Sequence, residues 1–247
     1  MKLPSIKTQL IIFLIAFAFF LSIKDRDVAF LFTTSVALLS ALAVDSLIIY
    51  LREKRLLISE SSIISGLIIG FVLSSDQPWW IFLLASLLAI GSKHLIRTSK
   101  NHLFNPAAFG IFLVTLFGVY AQWKGTYAWY ILIPAGFYFA YKIRKLEVVM
   151  GYGLASLVLF GFQAFMQKLP LSNIFGYLSY FYIFVMLIEP KTTPIKSLGK
   201  LIFGIGASVL IFIFTEAAVK FDAELCALLV LNPFVSILNK LPERRLI

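Results

Sequence analysis

Long apolar runs recur along the whole chain, separated by short polar segments that hold most of its charge. A helix rises about 1.5 Å per residue, so about 20 apolar residues cross a hydrocarbon core of ~30 Å, fewer where flanking side chains snorkel. The runs predict ten transmembrane helices at residues 8–23, 28–51, 60–74, 78–93, 104–122, 127–141, 147–167, 173–189, 198–216 and 223–239. Strands of a membrane barrel would alternate polar and apolar residues, which these runs do not. Helices are the other way to satisfy every backbone group in lipid. The expected fold is therefore all-α and membrane-embedded, in a single membrane domain over 1–247. No leading run reads as a cleaved signal peptide.

The basic residues sharpen this reading. Lys2, Lys7, Arg52, Lys54, Arg55, Lys93, Arg97, Lys100, Lys142, Arg144, Lys145, Lys191, Lys196, Lys200, Lys240, Arg244 and Arg245 all fall on one side of the ten-helix arrangement. Only Lys24, Arg26, Lys124, Lys168 and Lys220 fall on the other. Positive residues stay on the cytoplasmic side, which predicts a cell (inner) membrane protein with both termini in the cytoplasm. Composition agrees: 60% of residues are hydrophobic and 14% charged, against about a quarter charged in soluble domains. The net charge of +10 is spread between the runs, so the lipid bilayer is the expected partner and nucleic acid is not. Cys226 is the single cysteine and can form neither an internal disulfide nor a thiolate cluster.

Ten helices divide into five plus five, in halves of about 1–122 and 123–247, and an odd-numbered unit reverses its orientation on duplication. An inverted repeat is therefore expected. The third and eighth helices are short, and each runs into a polar joint holding an acid and a proline: Ser74-Ser75-Asp76-Gln77-Pro78 and Glu189-Pro190-Lys191-Thr192-Thr193-Pro194. Each half also has an Asn-Pro pair, Asn105-Pro106 and Asn232-Pro233. Short segments at matching places point to a shared midplane binding site. Ordinary proline turns give the same pattern.

Charge inside a membrane is a functional candidate. Glu189 leads, because it precedes two prolines at a helix break. Asp45 is a second ion-pathway candidate, with snorkelling towards Arg52 or Lys54 as the alternative. Glu216, Asp222 and Glu224 are expected to face outer interfacial water. His94 and His102 fall in a predicted cytoplasmic loop and make poor haem ligands, and no metal site is expected. Neither a hydrolase triad nor a Gly-rich phosphate loop is present. Gly66 and Gly70 form a GxxxG, which predicts close helix packing. Trp79 and Trp80 are placed at the outer interface.

The stretch Ser65-Gly66-Leu67 through Leu73, then Pro78-Trp79-Trp80, Ala89-Ile90-Gly91-Ser92-Lys93 and Phe104-Asn105-Pro106-Ala107-Ala108, resembles the RnfD/NqrB family of membrane proteins. RnfD belongs to the Rnf electron-transport complex, and NqrB to the sodium-pumping NADH:quinone oxidoreductase. Phe184 through Pro194, with Gly199 and Gly204, is similar to the family's second signature, with Glu189 where the family usually has Asp.

The resemblance implies a ten-helix inverted-repeat core that binds a flavin, FMN or riboflavin, and passes electrons, coupled in full complexes to sodium or proton movement. Family members commonly carry FMN on the threonine of a Ser-Gly-Ala-Thr motif. Here the matching loop reads Gln122-Trp123-Lys124-Gly125-Thr126-Tyr127, so a non-covalent flavin is expected. Asn105, Asn232, Thr192 and Thr193 are its expected contacts, between the repeats, because amides and hydroxyls can bond to a flavin's edge. Glu189 would line the same site. With no NAD-binding fold and no iron–sulfur cysteine set, the chain would need other membrane redox subunits or soluble electron donors as partners. It would then be one component of an oxidoreductase and not a complete enzyme. A small-solute channel or transporter of similar inverted-repeat fold is the alternative, and a cofactor-free scaffold protein a third.

Overall fold

The computed structural model describes residues 4–98, 101–170 and 175–242. Lys2, Lys100, Arg244 and Arg245 of the predicted basic face, and residues 173–174 of the eighth predicted helix, lie outside the described residues. Among the described residues all named elements are helical, with two isolated β-bridges. Contacts divide the chain into two compact units, Met1–Gly125 and Thr126–Ile247.

The first unit holds α1 (Ile6–Asp25), α2 (Val28–Glu53), α3 (Glu60–Val72), α4 (Trp79–Leu95) and α5 (Pro106–Thr115). Polar residues set the boundaries. Ser5 Oγ accepts from the Thr8 amide at 3.1 Å to cap α1, and Asp27 accepts from the Phe30 amide at 2.9 Å to cap α2. Arg26 and Lys54, both left-handed (φ 53° and 55°), close the other ends. α2 runs through the middle of the unit, against α3 and α4. A β-carbon on Gly66 would lie 2.6 Å from Leu38 Cα, and one on Gly70 2.7 Å from Thr34 Cα, so the GxxxG brings α3 onto the α2 backbone as expected. Phe71 fills the adjoining core, stacked on Phe17 at 5.5 Å and edge-on to Phe30 at 5.4 Å.

The second unit holds α6 (Trp129–Lys142), α7 (Leu146–Met166), a π-helical turn at Tyr182–Met186, α8 (Ser197–Glu216), α9 (Ala223–Leu231), a 3₁₀ turn at Asn232–Phe234, and α10 (Val235–Leu238). Its main packing is α7 on α8. A β-carbon on Gly151 would sit 2.5 Å from the Leu201 carbonyl oxygen, and Ser156 and Ser208 share a hydrogen bond of 2.9 Å across the buried interface.

Three predicted helices are corrected. The fifth ends at Thr115 and not at 122, because Gly118 turns the chain at φ 86°. The chain then comes back to α3, where the Gln122 amide donates to the Val72 carbonyl at 2.7 Å. That bond satisfies a carbonyl that the short α3 leaves open at its C-terminus. The eighth is reduced around its π-turn, and the tenth breaks at Asn232-Pro233, where proline supplies no amide to the helix. α1, α2, α7 and α8 are long and apolar enough to cross a membrane. α3, α4, α5 and 223–238 are shorter apolar helices; the 13 residues of α3 cover about 20 Å. Large apolar side chains such as Ile23, Phe32, Leu39, Phe162 and Phe165 are exposed, as suits helices facing lipid. The fold is that of an all-helical membrane protein.

Candidate functional site

The second unit gathers several of the selected residues at one irregular segment. At the π-turn the Leu187 amide donates to the Tyr182 carbonyl at 2.8 Å, five residues back. A turn widened in this way is frequent at functional sites. The chain then leaves the helix at Glu189-Pro190 and folds on itself. Thr192 Oγ1 donates to the Glu189 carboxylate at 2.8 Å, and Thr193 Oγ1 donates to the Glu189 carbonyl at 2.7 Å. Asn232 Nδ2 donates to the Thr192 carbonyl at 3.2 Å. Thr192, Thr193 and Asn232 are 1%, 1% and 2% exposed. Backbone with no regular hydrogen-bonding partners is tolerated at membrane depth only where side chains or a cavity satisfy it, and the Thr193 and Asn232 side chains do so for the Glu189 and Thr192 carbonyls.

Behind the loop lies a group whose basic members, Arg144, Lys145 and Lys200, stand out in the sequence only as orientation markers. Lys145, in the α6–α7 turn, is buried and donates to the carbonyls of Thr193 (3.2 Å) and Pro194 (2.6 Å). Burial, and then the nearby Lys200 charge, push its pKa down to about 7, with Glu147 pulling the other way. Glu147 in the first turn of α7 accepts from Lys200 at 3.1 and 3.2 Å and from the Ser197 hydroxyl at 2.7 Å. These groups line a cavity of about 750 Å³ that also meets Tyr141, Arg144, Pro190 and Ile195. The sequence signal is an acid at one helix start and a Ser-x-x-Lys at another. Nothing local joins the two, because Glu147 and Lys200 stand 53 residues apart.

In the first unit Asn105 caps α5, accepting from the Ala108 amide at 3.0 Å while Pro106 takes the first helical position. Asp45 is fully buried, and its partners are not Arg52 or Lys54. Lys93 donates to one carboxylate oxygen at 2.9 Å, and His94 Nε2 meets the other at 2.6 Å. His94 therefore belongs to the last turn of α4 and not to a loop. The loop that stands in place of the Ser-Gly-Ala-Thr motif is tied down. Lys124 pairs with Asp27, and the Thr126 and Ser179 hydroxyls lie 3.3 Å apart.

A sequence profile of the NQR2, RnfD, RnfE family matches residues 2–127 and, again, residues 115–247. Among curated proteins none matches the chain.

Proposed function

Because the chain belongs to the NQR2, RnfD, RnfE family, we propose that it is the membrane electron-transfer subunit of an Rnf/Nqr-like redox complex. It would bind a flavin without a covalent link and work with other membrane redox subunits, in a complex coupled to ion movement. The observation that carries this reading is the family match over the whole length of the chain. The overlap of the two matched segments, residues 115–127, contains the division between the compact units.

The residues of the 189–194 loop suit a flavin in kind. Thr192, Thr193 and Asn232 offer hydroxyls and an amide of the type that bonds to a flavin's carbonyl and imide edge. Their burial would keep water from the ring. Within the fold these groups bond to Glu189 and to the loop's own carbonyl, so in this reading Thr192 and Thr193 turn their hydroxyls from Glu189 to the ligand. A bound flavin would supply the one- and two-electron chemistry that no side chain here provides. Asn105 serves as a helix cap in the first unit, and its amide acts there on the α5 backbone.

The test is optical. Gently purified protein is expected to be yellow, and acid is expected to release all of its flavin. After denaturing electrophoresis the protein band should not fluoresce. A fluorescent band would mean covalent attachment, with Thr126 and Thr193 the first sites to examine. Colourless protein that takes up neither riboflavin nor FMN would count against electron transfer, and selective solute flux in proteoliposomes would then establish a channel.

Glu189 is the carboxylate to test for the ion, because it stands where the chain leaves the helix at Glu189-Pro190, beside the Thr192 and Thr193 hydroxyls. Glu189→Gln keeps an oxygen that can accept from Thr192 while removing the charge. It is expected to lower cation-coupled activity in reconstituted vesicles several-fold at unchanged expression, whereas Glu189→Asp is mild. Wild-type coupling in the glutamine variant would reduce Glu189 to a structural role.

A further inference from the structure

The cavity beside α7 and α8 has a charge balance that its own side chains leave incomplete. Lys200 and Glu147 neutralise each other at 3.1 Å. Arg144 remains as a full charge and Lys145, with its pKa of about 7, as a partial one, and the Arg144 side chain makes no hydrogen bond or ion pair among the described residues.

Two helices also begin here, and the aligned peptide dipoles of each place partial positive charge at its start. α7 has Lys145 as its N-cap and α8 has Lys196, and neither has a side-chain capping bond. Serine, threonine, aspartate or asparagine is usual at such positions, because an oxygen there accepts from the amides. A lysine cannot accept, and its charge opposes the helix dipole. Twenty- and twenty-one-residue helices starting side by side on lysines, with one already-paired carboxylate between them, form an electropositive cradle suited to an oxyanion.

The geometry points to an anionic phospholipid headgroup as the occupant, its phosphate held by Arg144, Lys145 and the starts of α7 and α8. Phosphate is the shared chemistry of such a ligand and of free phosphate compounds. The lining favours the lipid. Tyr141 and Ile195 stand on the same cavity at 66% and 72% exposed, which places apolar surface for an acyl chain next to the charge. α7 and α8 are themselves of membrane-spanning length. Basic pockets between such helices are a general means of holding anionic headgroups. This assignment does not depend on the flavin reading, because it uses none of the hydroxyls or amides assigned to the flavin.

The experiment uses the full chain, stripped of lipid in neutral detergent and offered phosphatidylglycerol and phosphatidylcholine in equal amounts, with bound lipid counted by native mass spectrometry. Phosphatidylglycerol is expected to be retained in preference. Arg144→Gln should weaken its binding about fivefold, the size expected for one basic group near an anionic headgroup. Lys142→Gln removes the same charge from an exposed position outside the cavity lining and should weaken binding much less. Arg144→Lys, which keeps the charge, should retain most of the affinity. Equal losses in the Arg144→Gln and Lys142→Gln variants would reduce the effect to general surface charge and overturn the site. Displacement of the lipid by inorganic phosphate or FMN at comparable concentration would overturn the lipid assignment in favour of a soluble phosphate. An absence of preference between the two lipids would overturn the anionic-headgroup assignment.

Discussion

Lys200→Met is expected to destabilise the second unit by about 3 kcal/mol, the scale measured when one partner of a buried ion pair is removed. Glu147 is buried in the first turn of α7, and Lys200 is the cation that donates to both of its oxygens. Methionine keeps the length and apolar volume of lysine, so packing against α7 survives while the carboxylate loses its counter-charge. The Ser197 hydroxyl, at 2.7 Å, is too weak a partner to make up the difference. A second consequence follows at Lys145. Lys200 is one of the causes that depress its pKa, so removing Lys200 should raise it from about 7, with burial still holding it below the ordinary lysine range. Thermal unfolding in detergent, followed by fluorescence-detected size exclusion, reads the loss. The double variant Glu147→Gln/Lys200→Met should recover most of it, because a neutral pair leaves no buried charge. A single variant as stable as wild type would show that water reaches Glu147 and that the pair lies in effect at the surface.

Gly204→Ala is expected to disrupt the α7–α8 crossing. An added β-carbon there would fall inside van der Waals contact with the Val148 carbonyl oxygen and 2.8 Å from the Tyr152 amide nitrogen. Both are backbone atoms and cannot swing away, so the helices must separate along an interface that also holds Gly151 and the Ser156–Ser208 hydrogen bond. Overpacking of this kind costs about 1–3 kcal/mol, and the rigid obstacle puts this site at the upper end. Gly153, on α7, provides the control: its β-carbon meets nothing within 4 Å. Gly153→Ala should be neutral or stabilise by up to about 1 kcal/mol, because alanine is the better helix former. If both substitutions melt alike, the close approach of α7 and α8 is not what Gly204 serves.

These expectations rest on particulars that differ in how far the sequence shows them. Hydropathy alone was enough for α1, α2, α7 and α8, because in lipid every backbone group of a span must bond within the span, and a long apolar run has no other solution. Gly66 and Gly70 were legible as a packing face, since a four-residue spacing puts both on one side of a helix. Glu189, Thr192, Thr193 and Asn232 were also legible as polar residues at chain breaks, and the folded chain joins those four in one hydrogen-bonded network, with Asn232 reaching the loop from the end of α9. The truncation of the fifth predicted helix was not legible as a length. Gly118 could have been tolerated within a helix, and it ends one here because the returning chain satisfies the open carbonyl of α3.

Residue order alone is enough to make the chain helical and membrane-embedded, to carry its family resemblance, and to alternate its basic residues between segments. Hydropathy and charge are local properties, and the bilayer reads them locally. Which charges are buried, and with what partners, is settled by the packing of distant helices: Asp45 with Lys93 and His94, Glu147 with Lys200, Lys145 with the 193–194 carbonyls. The partners are separated by 48 to 53 residues of chain. Whether a charge is solvated or paired depends on what the facing helix presents at that depth, and no run of neighbouring residues carries that information.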